Sequence, residues 1–188
     1  MSKSDIKNSF RKLVLNSCKK RANNYKKDKL IVKNLIKYIR ENRLSNIMLF
    51  IPLANEVNIL PLINYCRRKN INIYVPFMQG KSFILVKYRL PLGIKKFKIK
   101  EPKFSSYKIR DIDLAIVPIL GIDIKSKRVG FGKGMYDRFY AKNWKKIKKT
   151  IFIQRDLYIC NKCITNNFDI YSDTIITHSV NFITCNGL

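Results

Sequence analysis

Acidic residues are scarce in this sequence. Twelve Asp and Glu stand against 39 Lys and Arg among 188 residues, which gives a formal net charge of +27. A field of this sign favours anionic ligands and is typical of nucleic-acid-binding proteins. The lysines, however, are spread along the whole chain, which is also rich in Ile and Asn. Compositional drift therefore explains the charge as well as a binding patch does.

Long apolar segments are also missing. No run of about 18 or more uncharged apolar residues occurs, so we expect no membrane span. The N-terminal residues lack the apolar core of a signal peptide, and we expect a cytoplasmic protein. The hydrophobic fraction of 46% and the aromatic fraction of 12% exclude general disorder. A length of 188 residues predicts one domain, residues 1–188, which we expect to be a monomer.

Cysteine and histidine are few. The five cysteines are an odd number in a chain without an export signal, so a disulfide framework is not expected. Cys160 and Cys163 have the C-x-x-C spacing of a zinc or redox motif, but no second ligand pair accompanies them. The only histidine, His178, is a poor substitute. Two incidental thiols are the favoured interpretation.

Apolar runs alternate with amphipathic segments along the chain. Helical spacing predicts helices over residues 4–21, 28–40, 58–69 and 134–142. Short apolar runs predict strands over residues 46–52, 71–76, 82–88, 114–118, 150–153 and 174–177, with a long loop over 89–108. This alternation predicts an α/β fold, a three-layer α/β/α sandwich with a largely parallel, Rossmann-like sheet.

Single residues refine these helices. In the first helix, Leu13 and Val14 are expected on the inward face, and in the second Leu30 is expected there too. Ser4 is a plausible N-cap for the first helix. Asn70 suits the left-handed residue that ends the third.

Three glycines alternate with other residues in the segment 128–138, RVGFGKGMYDR. The spacing of Gly130, Gly132 and Gly134 is neither the Rossmann fingerprint nor the Walker A loop. Backbone amides in such a bend can form an anion-binding nest, and the N-terminus of the following helix adds partial positive charge. The segment is therefore a candidate phosphate-binding loop. The alternative is a tight surface turn with incidental basic residues.

Charged side chains fit this chemistry. Arg128, Lys133 and Arg138 would make charge-assisted hydrogen bonds to phosphate oxygens. Asp137 supplies the hard oxygen ligand that Mg²⁺ uses beside a triphosphate. Glu56 follows a predicted strand, and ligands bind at the carboxyl ends of parallel strands. Glu56 and the glycine loop are therefore expected in one cleft.

Two basic residues of the first predicted helix, Lys7 and Arg11, lie four positions apart and share a face. Their like charges repel unless an anion bridges them. From the residues alone, a solvated basic face is the favoured interpretation in a chain this basic.

The segments 117–123 (VPILGID) and 128–138 together resemble the signature of the 5-formyltetrahydrofolate cyclo-ligase family, also called 5,10-methenyltetrahydrofolate synthetases. The family pattern is roughly V-P-G-x-x-F-D-x-x-G-x-R-L-G-x-G-[GK]-G-Y-Y-D. Further similarities follow in chain order at residues 7–11, 50–56, 74–76, 93–94, 101–102 and 169–173. The fold that this resemblance implies is similar to that of the CoA-transferase group.

The sequence departs from the family pattern at a few positions. Met135 replaces the first of the paired tyrosines, and Ile122 replaces the usual Phe. Ser126 stands where the D-x-x-G-x-R spacing has its glycine. The charged residues and the loop glycines are all present.

The resemblance implies a reaction. ATP and 5-formyltetrahydrofolate would give 5,10-methenyltetrahydrofolate, ADP and phosphate, with Mg²⁺ as cofactor; whether the folate carries a polyglutamate tail is left open by the sequence. The γ-phosphoryl group is expected to move to the formyl oxygen before N10 attacks the formyl carbon. Catalysis of this kind is chiefly positioning and charge neutralisation.

The resemblance also assigns roles to residues. ATP binding would fall to Lys7, Arg11, Arg128, Gly130, Phe131, Gly132, Lys133, Gly134, Met135 and Tyr136. Of these, Arg128, Lys133 and Tyr136 would be catalytic. Glu56 would bind the folate with Ile51 as an apolar neighbour, and Asp137 and Asp169 would hold Mg²⁺. For Asp123, a supporting role in the site and a purely structural role are both open.

Two other functions compete with this one. A nucleic-acid-binding module is supported only by charge, and no known nucleic-acid-binding motif is present, so we do not expect nucleic acid as a partner. A family member that binds nucleotide or folate without turnover is left open by the departures at Ile122 and Met135.

Overall fold

A computed structural model of the chain describes residues 2–19, 23–94, 100–105, 111–179 and 183–184. The helices are α1 Lys3–Lys19, α2 Asn24–Glu41, α3 Leu60–Arg68 and α4 Met135–Asn143, the last followed by a 3-10 turn, Trp144–Lys146. The strands are β1 Asn46–Met48, β2 Asn72–Gln79, β3 Ser82–Lys87, β4 Gly93–Ile94, β5 Lys100–Glu101, β6 Leu114–Pro118, β7 Gly121–Asp123, β8 Arg128–Val129, β9 Thr150–Ile153, β10 Ile159–Cys160, β11 Thr174–Ile176 and β12 Ile183–Thr184. Within these ranges, no helix has the length and apolar character needed to cross a bilayer.

Seven strands form the central sheet, in the order β12-β11-β9-β6-β1-β2-β3. The five inner strands run parallel, and each edge strand, β3 or β12, pairs antiparallel with its neighbour. Parallel neighbours need crossover connections, which are usually helices. The predicted, largely parallel sheet is confirmed.

Residues of the inner strands alternate between the two faces of the central sheet. In β1, Ile47 packs with α2 and α3, whereas the next residue, Met48, packs on the opposite face with Phe139 of α4. Successive side chains of a strand point to opposite faces, so both faces of this sheet are buried. Helices cover both faces, which confirms the predicted three-layer α/β/α sandwich.

A second, three-stranded sheet in the order β10-β7-β8 was not predicted. Its strands have two or three residues each, too few for a periodic pattern. A Cβ atom at Gly121 of β7 would lie 2.4 Å from the backbone oxygen of Tyr158 and 2.9 Å from the ring of Phe10, so α1 packs directly on this small sheet. The sheet also delivers Arg128, in β8, to the start of the glycine loop.

Several predicted elements have different bounds: α2 begins four residues earlier than predicted, at Asn24, and β2 extends to Gln79. The run 46–52 was expected as one strand, but β1 ends at Met48; Leu49 N still donates to Tyr74 O at 2.8 Å, and the chain then leaves the sheet. The region 89–108 was expected as a loop, yet β4 and β5 pair antiparallel within it. Residues 95–99 and 106–110 of that region, like residues 20–21 of the first predicted helix, lie outside the described residues.

Some helix residues were misplaced by the sequence pattern. Ser2, rather than Ser4, caps α1: its Oγ accepts from Asp5 N at 3.2 Å, and Asp5 Oδ2 accepts from Ser2 N at 2.9 Å, a reciprocal arrangement of the capping-box kind. Leu13 and Leu30 are 60% and 41% exposed and do not face inward. The left-handed conformation of Asn70 is confirmed by its φ of 54°.

Ser126 also adopts the left-handed conformation, with a φ of 56°, at the position where the family pattern has glycine. A side chain in this conformation costs about 1–2 kcal/mol, whereas glycine there costs only backbone entropy, about 0.5–1 kcal/mol. We predict that Ser126→Gly stabilises the protein by about 0.5–1 kcal/mol, measured as a higher melting temperature. Ser9→Gly, at an exposed position of α1, should lower it instead. A Ser126→Gly variant no more stable than the parent would contradict the prediction.

Candidate active site

Arg128 lies buried at the start of the glycine loop, 5% exposed. Its guanidinium donates to Pro118 O, at the end of β6, from Nε at 3.2 Å and from Nη2 at 3.0 Å. Its Nη1 is 3.8 Å from Asp137 Oδ2, and its guanidinium carbon is 4.8 Å from the ring centre of Tyr136. A Cβ atom at Gly130 would lie 2.3 Å from Nη1, so a side chain at this position would displace the guanidinium of Arg128. Arg128 thus joins β6, the loop and α4.

Two further arginines hold the backbone of the glycine loop. Arg11 of α1 donates from Nε to Gly130 O at 2.9 Å. Arg138 of α4 donates to Lys81 O at 2.7 Å and also to Lys133 O. Arg138 was predicted to bind phosphate, but its donors are turned to these carbonyl oxygens. Gly134, with a φ of 59°, leads the loop into α4.

Lys7 does not lie on a solvated face, and that interpretation is wrong. Lys7 Nζ donates to Asp169 Oδ2 at 2.7 Å, and the two side chains are only 12% and 6% exposed. Asp169 Oδ2 also accepts from Asn166 N at 2.7 Å. Burial lowers the pKa of Arg11, and the carboxylates of Asp169 and Asp137 act on that pKa in the opposite direction. Both carboxylates therefore lie within electrostatic reach of the guanidinium of Arg11.

Asp137 has one carboxylate oxygen without a protein partner. The side chain is buried, and Oδ1 accepts no hydrogen bond from any described residue. Buried polar atoms are nearly always satisfied, so this oxygen is a candidate ligand atom for a bound cation. The described residues contain no cluster of three or more His, Cys, Asp or Glu able to hold a metal ion. Mg²⁺ commonly uses only one or two carboxylates and completes its coordination with phosphate and water, so the unpartnered oxygen of Asp137 suits it as a ligand.

A cavity of about 200 Å³ opens between the glycine loop and the segment after β1. We call it the central cavity; it is lined by Phe50, Ile51, Leu53, Glu56, Pro76, Met78, Phe83, Lys100, Pro118, Arg128, Phe131, Lys133, Gly134, Met135 and Tyr136. Its walls are mostly apolar and aromatic, with one carboxylate and three cations. Such a lining suits a flat, largely apolar ligand that carries a few polar groups.

Glu56 is the acid of the central cavity. Its Oε2 accepts from Leu53 N at 2.9 Å. Burial raises the pKa of Glu56, and the Leu53 amide and the charges of Arg128 and Arg155 partly offset this. The carboxyl group is thus poorly hydrated, and it can accept further hydrogen bonds from a ligand.

Tyr136 contacts both sides of the central cavity. Its ring meets the edge of Phe83 at a centroid distance of 5.0 Å and lies under the guanidinium of Arg128. Burial raises the pKa of its phenol, and the charge of Glu56 acts in the same direction. The phenol is therefore protonated at neutral pH, which suits a hydrogen-bond donor and not a base.

The predicted meeting of Glu56 and the glycine loop in one cleft is confirmed, because both line the central cavity. Ile51 and Met135 line it as well. Lys7 and Arg11 do not line it; they reach Asp169 and the loop backbone from α1.

Asp123 has a structural role, because it is 1% exposed and both its oxygens are used within the fold. Oδ1 accepts from the amides of Lys125 and Lys127. Oδ2 accepts from the amides of Ile164 and Thr165 and from the Thr165 hydroxyl. The turn before the glycine loop is thereby tied to the segment that leads to Asp169. Elsewhere, Cys160 and Cys163 are half-buried free thiols.

Several contributors were missed by the sequence analysis. Phe83 and Met78 wall the central cavity from β3 and β2, and Lys100 lines it from β5. No motif marks such wall residues, since apolar strand residues are the rule. Arg155 was missed as well, although its place two residues after a buried strand, at the carboxyl end of the sheet, was a usable signal.

The family model of 5-formyltetrahydrofolate cyclo-ligases matches residues 2–178. The chain belongs to the 5-formyltetrahydrofolate cyclo-ligase family. The expected family and the expected enzyme class, a cyclo-ligase, are therefore confirmed.

Individual cyclo-ligases show the same similarity. A probable 5-formyltetrahydrofolate cyclo-ligase of Schizosaccharomyces pombe is 31% identical over 157 residues, which cover 77% of this chain and 76% of that protein. The 5-formyltetrahydrofolate cyclo-ligase of Haemophilus influenzae is 27% identical over 122 residues, 61% of this chain and 65% of the relative. The solution structure of 5,10-methenyltetrahydrofolate synthetase from Aquifex aeolicus has a similar fold, with a TM-score of 0.78, 23% identity and coverage of 97% and 94%.

The raised pKa of Glu56 predicts a pH-dependent effect on stability. Because the folded state binds this proton more tightly than the unfolded state, Glu56 contributes stability below its ordinary pKa of 4.5 and loses that contribution as the pH rises through the raised value. Glu56→Gln keeps an acceptor for the Leu53 amide but does not titrate. We predict that its melting temperature, relative to the parent, rises between about pH 4 and about pH 7.

The matched control is Glu41→Gln, at an exposed position of α2, whose melting temperature relative to the parent should change little with pH. A Glu56→Gln difference that is the same at both pH values would show that burial does not raise this pKa.

Proposed function

We propose that this cyclo-ligase converts 5-formyltetrahydrofolate to 5,10-methenyltetrahydrofolate with ATP and Mg²⁺. One observation carries the proposal: Glu56 and the basic residues of the glycine loop, Arg128 and Lys133, line the same central cavity. The central cavity thus contains both an acceptor for a heterocycle, Glu56, and cations for phosphate, Arg128 and Lys133. The names of the relatives and the family membership support the folate substrate.

The folate side of the proposed site is the apolar half of the central cavity. Glu56 would accept hydrogen bonds from the donor edge of the pterin, with Ile51 packing nearby. Glu56 is half-buried and accepts from the Leu53 amide, so a ligand that supplies further donors gains both affinity and orientation. The aromatic walls, including Phe83, give a flat ring a complementary surface.

The nucleotide side is the glycine loop together with α1. Lys7 and Arg11 would contact the phosphates from α1, while Gly130, Phe131, Gly132 and Gly134 shape the loop around them. The two glycines with positive φ, Gly132 at 99° and Gly134 at 59°, let the backbone approach the anion closely. Met135 begins α4, whose N-terminus faces the same anion.

The chemistry proceeds in two steps. The formyl oxygen attacks the γ-phosphorus, the new O–P bond forms, and the bond to ADP breaks. N10 then attacks the formyl carbon and loses its proton, and the C–O bond breaks as phosphate leaves, which closes the methenyl bridge. Arg128 and Lys133 stabilise charge on the transferred group, and Tyr136 donates to an oxygen at the reacting centre.

Asp137 and Asp169 would hold the Mg²⁺. The orphaned Oδ1 of Asp137 supports this assignment. When bound, the ion neutralises phosphate charge and orients the transferred group. Asp123 contributes only indirectly, because it binds the backbone amides of the segment that leads to Asp169.

The proposed reaction predicts a direct optical result. Purified protein mixed with 5-formyltetrahydrofolate, ATP and Mg²⁺ should develop the near-ultraviolet band of methenyltetrahydrofolate, and omission of either ATP or Mg²⁺ should prevent it. Binding of folate or ATP without product would overturn turnover in favour of a sensor. Absence of product together with tight, salt-sensitive DNA binding would favour the nucleic-acid alternative.

Asp137→Asn should strongly reduce Mg²⁺-dependent turnover. The variant keeps the shape of the side chain but weakens its oxygen as a metal ligand, so we expect kcat to fall roughly 100-fold to 1,000-fold. Asp111→Asn, at an exposed position before β6, should retain the parent rate. Equal rates for the parent and Asp137→Asn would refute the metal assignment.

A further inference from the structure

A buried ion pair lies beside the central cavity without lining it. Arg155, two residues after β9, donates from Nε to Asp28 Oδ1 at 2.7 Å and from Nη2 to Asp28 Oδ2 at 2.9 Å. Asp28 belongs to α2, and both residues are only 7% exposed. The two parallel bonds form the fork-on-fork geometry that fixes an arginine most firmly.

The remaining polar atoms of this pair are directed at the segment that carries Glu56. Arg155 Nη1 donates to Asn55 O at 3.2 Å, and Nη2 donates to Glu56 O at 2.5 Å. Asp28 Oδ2 accepts from Asn58 N at 3.1 Å. The pair therefore binds the backbone on both sides of Glu56.

Few other hydrogen bonds hold that segment, although the side chains of Val57 and Ile59 are buried in the core. Between the end of β1 at Met48 and the start of α3 at Leu60 the chain forms neither a helix nor a strand. Within the described residues, the local bonds near Glu56 are Glu56 N to Leu53 O at 3.0 Å and Leu53 N to Glu56 Oε2 at 2.9 Å. These bonds shape the turn itself but do not tie it to the sheet.

Stability alone does not explain such a pair. Removal of two charges from water costs several kcal/mol per ion, and apolar residues of equal volume often stabilise a protein as well or better. A planar fork can, however, bind a carboxylate and two backbone carbonyl groups at fixed angles, which neither lysine nor an apolar side chain can do. The ion pair is thus suited to fixing the position of the backbone around Glu56.

We propose that the Asp28–Arg155 pair is the positioning device of the folate subsite, fixing residues 55–58 so that the carboxyl group of Glu56 faces the central cavity. Neither residue touches the substrate. This inference rests on the proposed role of Glu56 in binding the folate. The charge of Arg155 also acts on Glu56, since it is among the influences that keep its pKa from rising further.

The test is Arg155→Lys, which keeps the charge but removes the fork. We expect KM for 5-formyltetrahydrofolate to rise about 10-fold to 100-fold, because a shift of the Glu56 carboxyl group by about 1 Å has effects of this order. KM for ATP should stay near the parent value, since the proposed nucleotide contacts lie on the glycine loop and α1 and not on residues 55–58. Asp28→Asn, which keeps the fork but removes its counter-charge, should change KM in the same direction.

The matched control is Lys27→Gln. Lys27 lies next to Asp28 on α2 and pairs with Asp156, next to Arg155, at 2.7 and 2.9 Å. Within the described part of the chain, it forms no hydrogen bond or ion pair with residues 55–58. The control thus removes an ion pair between the same two elements. A rise in KM for the folate that is equal in Lys27→Gln and Arg155→Lys would overturn the proposal, as would an unchanged KM in Arg155→Lys.

Hydrogen exchange separates this proposal from the proposed function. Backbone amides of residues 53–58 should exchange faster in Arg155→Lys than in the parent and in Lys27→Gln, while α3 keeps its protection. Uniformly faster exchange across α2 and α3 would mark a merely structural pair and overturn the proposal. Exchange needs no turnover, so an inactive parent would sink the enzymatic assignment while this measurement still decides the role of Arg155.

Discussion

The buried guanidinium of Arg128 is the constraint on which the site depends. A full positive charge at 5% exposure must be compensated, because the desolvation of an ion costs several kcal/mol. Pro118 O accepts two of its bonds, Asp137 lies 3.8 Å away, and the ring of Tyr136 faces it. Pro118 belongs to β6, Asp137 and Tyr136 both belong to α4, and Arg128 itself belongs to β8. The end of β6, the small sheet and the start of α4 are therefore held in one arrangement by a single side chain.

Arginine shapes the opposite wall of the cavity in a similar way. Arg155 follows β9, the strand that pairs with β6, and it also donates to backbone carbonyl oxygens. The two chain segments that face each other across the cavity are thus both fixed by polar bonds at the carboxyl edge of the parallel sheet. Apolar packing fills the space between the layers, but directional bonds set the outline of the chamber.

The sequence was sufficient where the information is local. Periodic apolar runs predicted the parallel sheet and its layers, and the spacing of glycines identified the loop. It was insufficient where a partner is remote: Arg155 and Asp28 are 127 positions apart, and Lys7 and Asp169 are 162 apart. Strands of two residues, such as β8, are stabilised by tertiary neighbours and leave no periodic signal. Leu13 and Leu30 show the converse, because an apolar residue near a helix face need not be covered.

The ion pair between Lys7 and Asp169 gives the resting site an internal charge balance. In the proposed site, Lys7 would bind phosphate and Asp169 would bind the metal ion. A nucleotide arriving alone would draw Lys7 away and leave a carboxylate beside its own negative charge; a metal ion arriving alone would release an unpaired lysine. If the metal ion and the nucleotide bind together, Lys7 pairs with phosphate and Asp169 pairs with the metal ion, so neither charge is left without a partner. In the proposed site the pair would therefore favour a metal–nucleotide complex over a free anion, in a protein whose overall charge of +27 attracts anions in general.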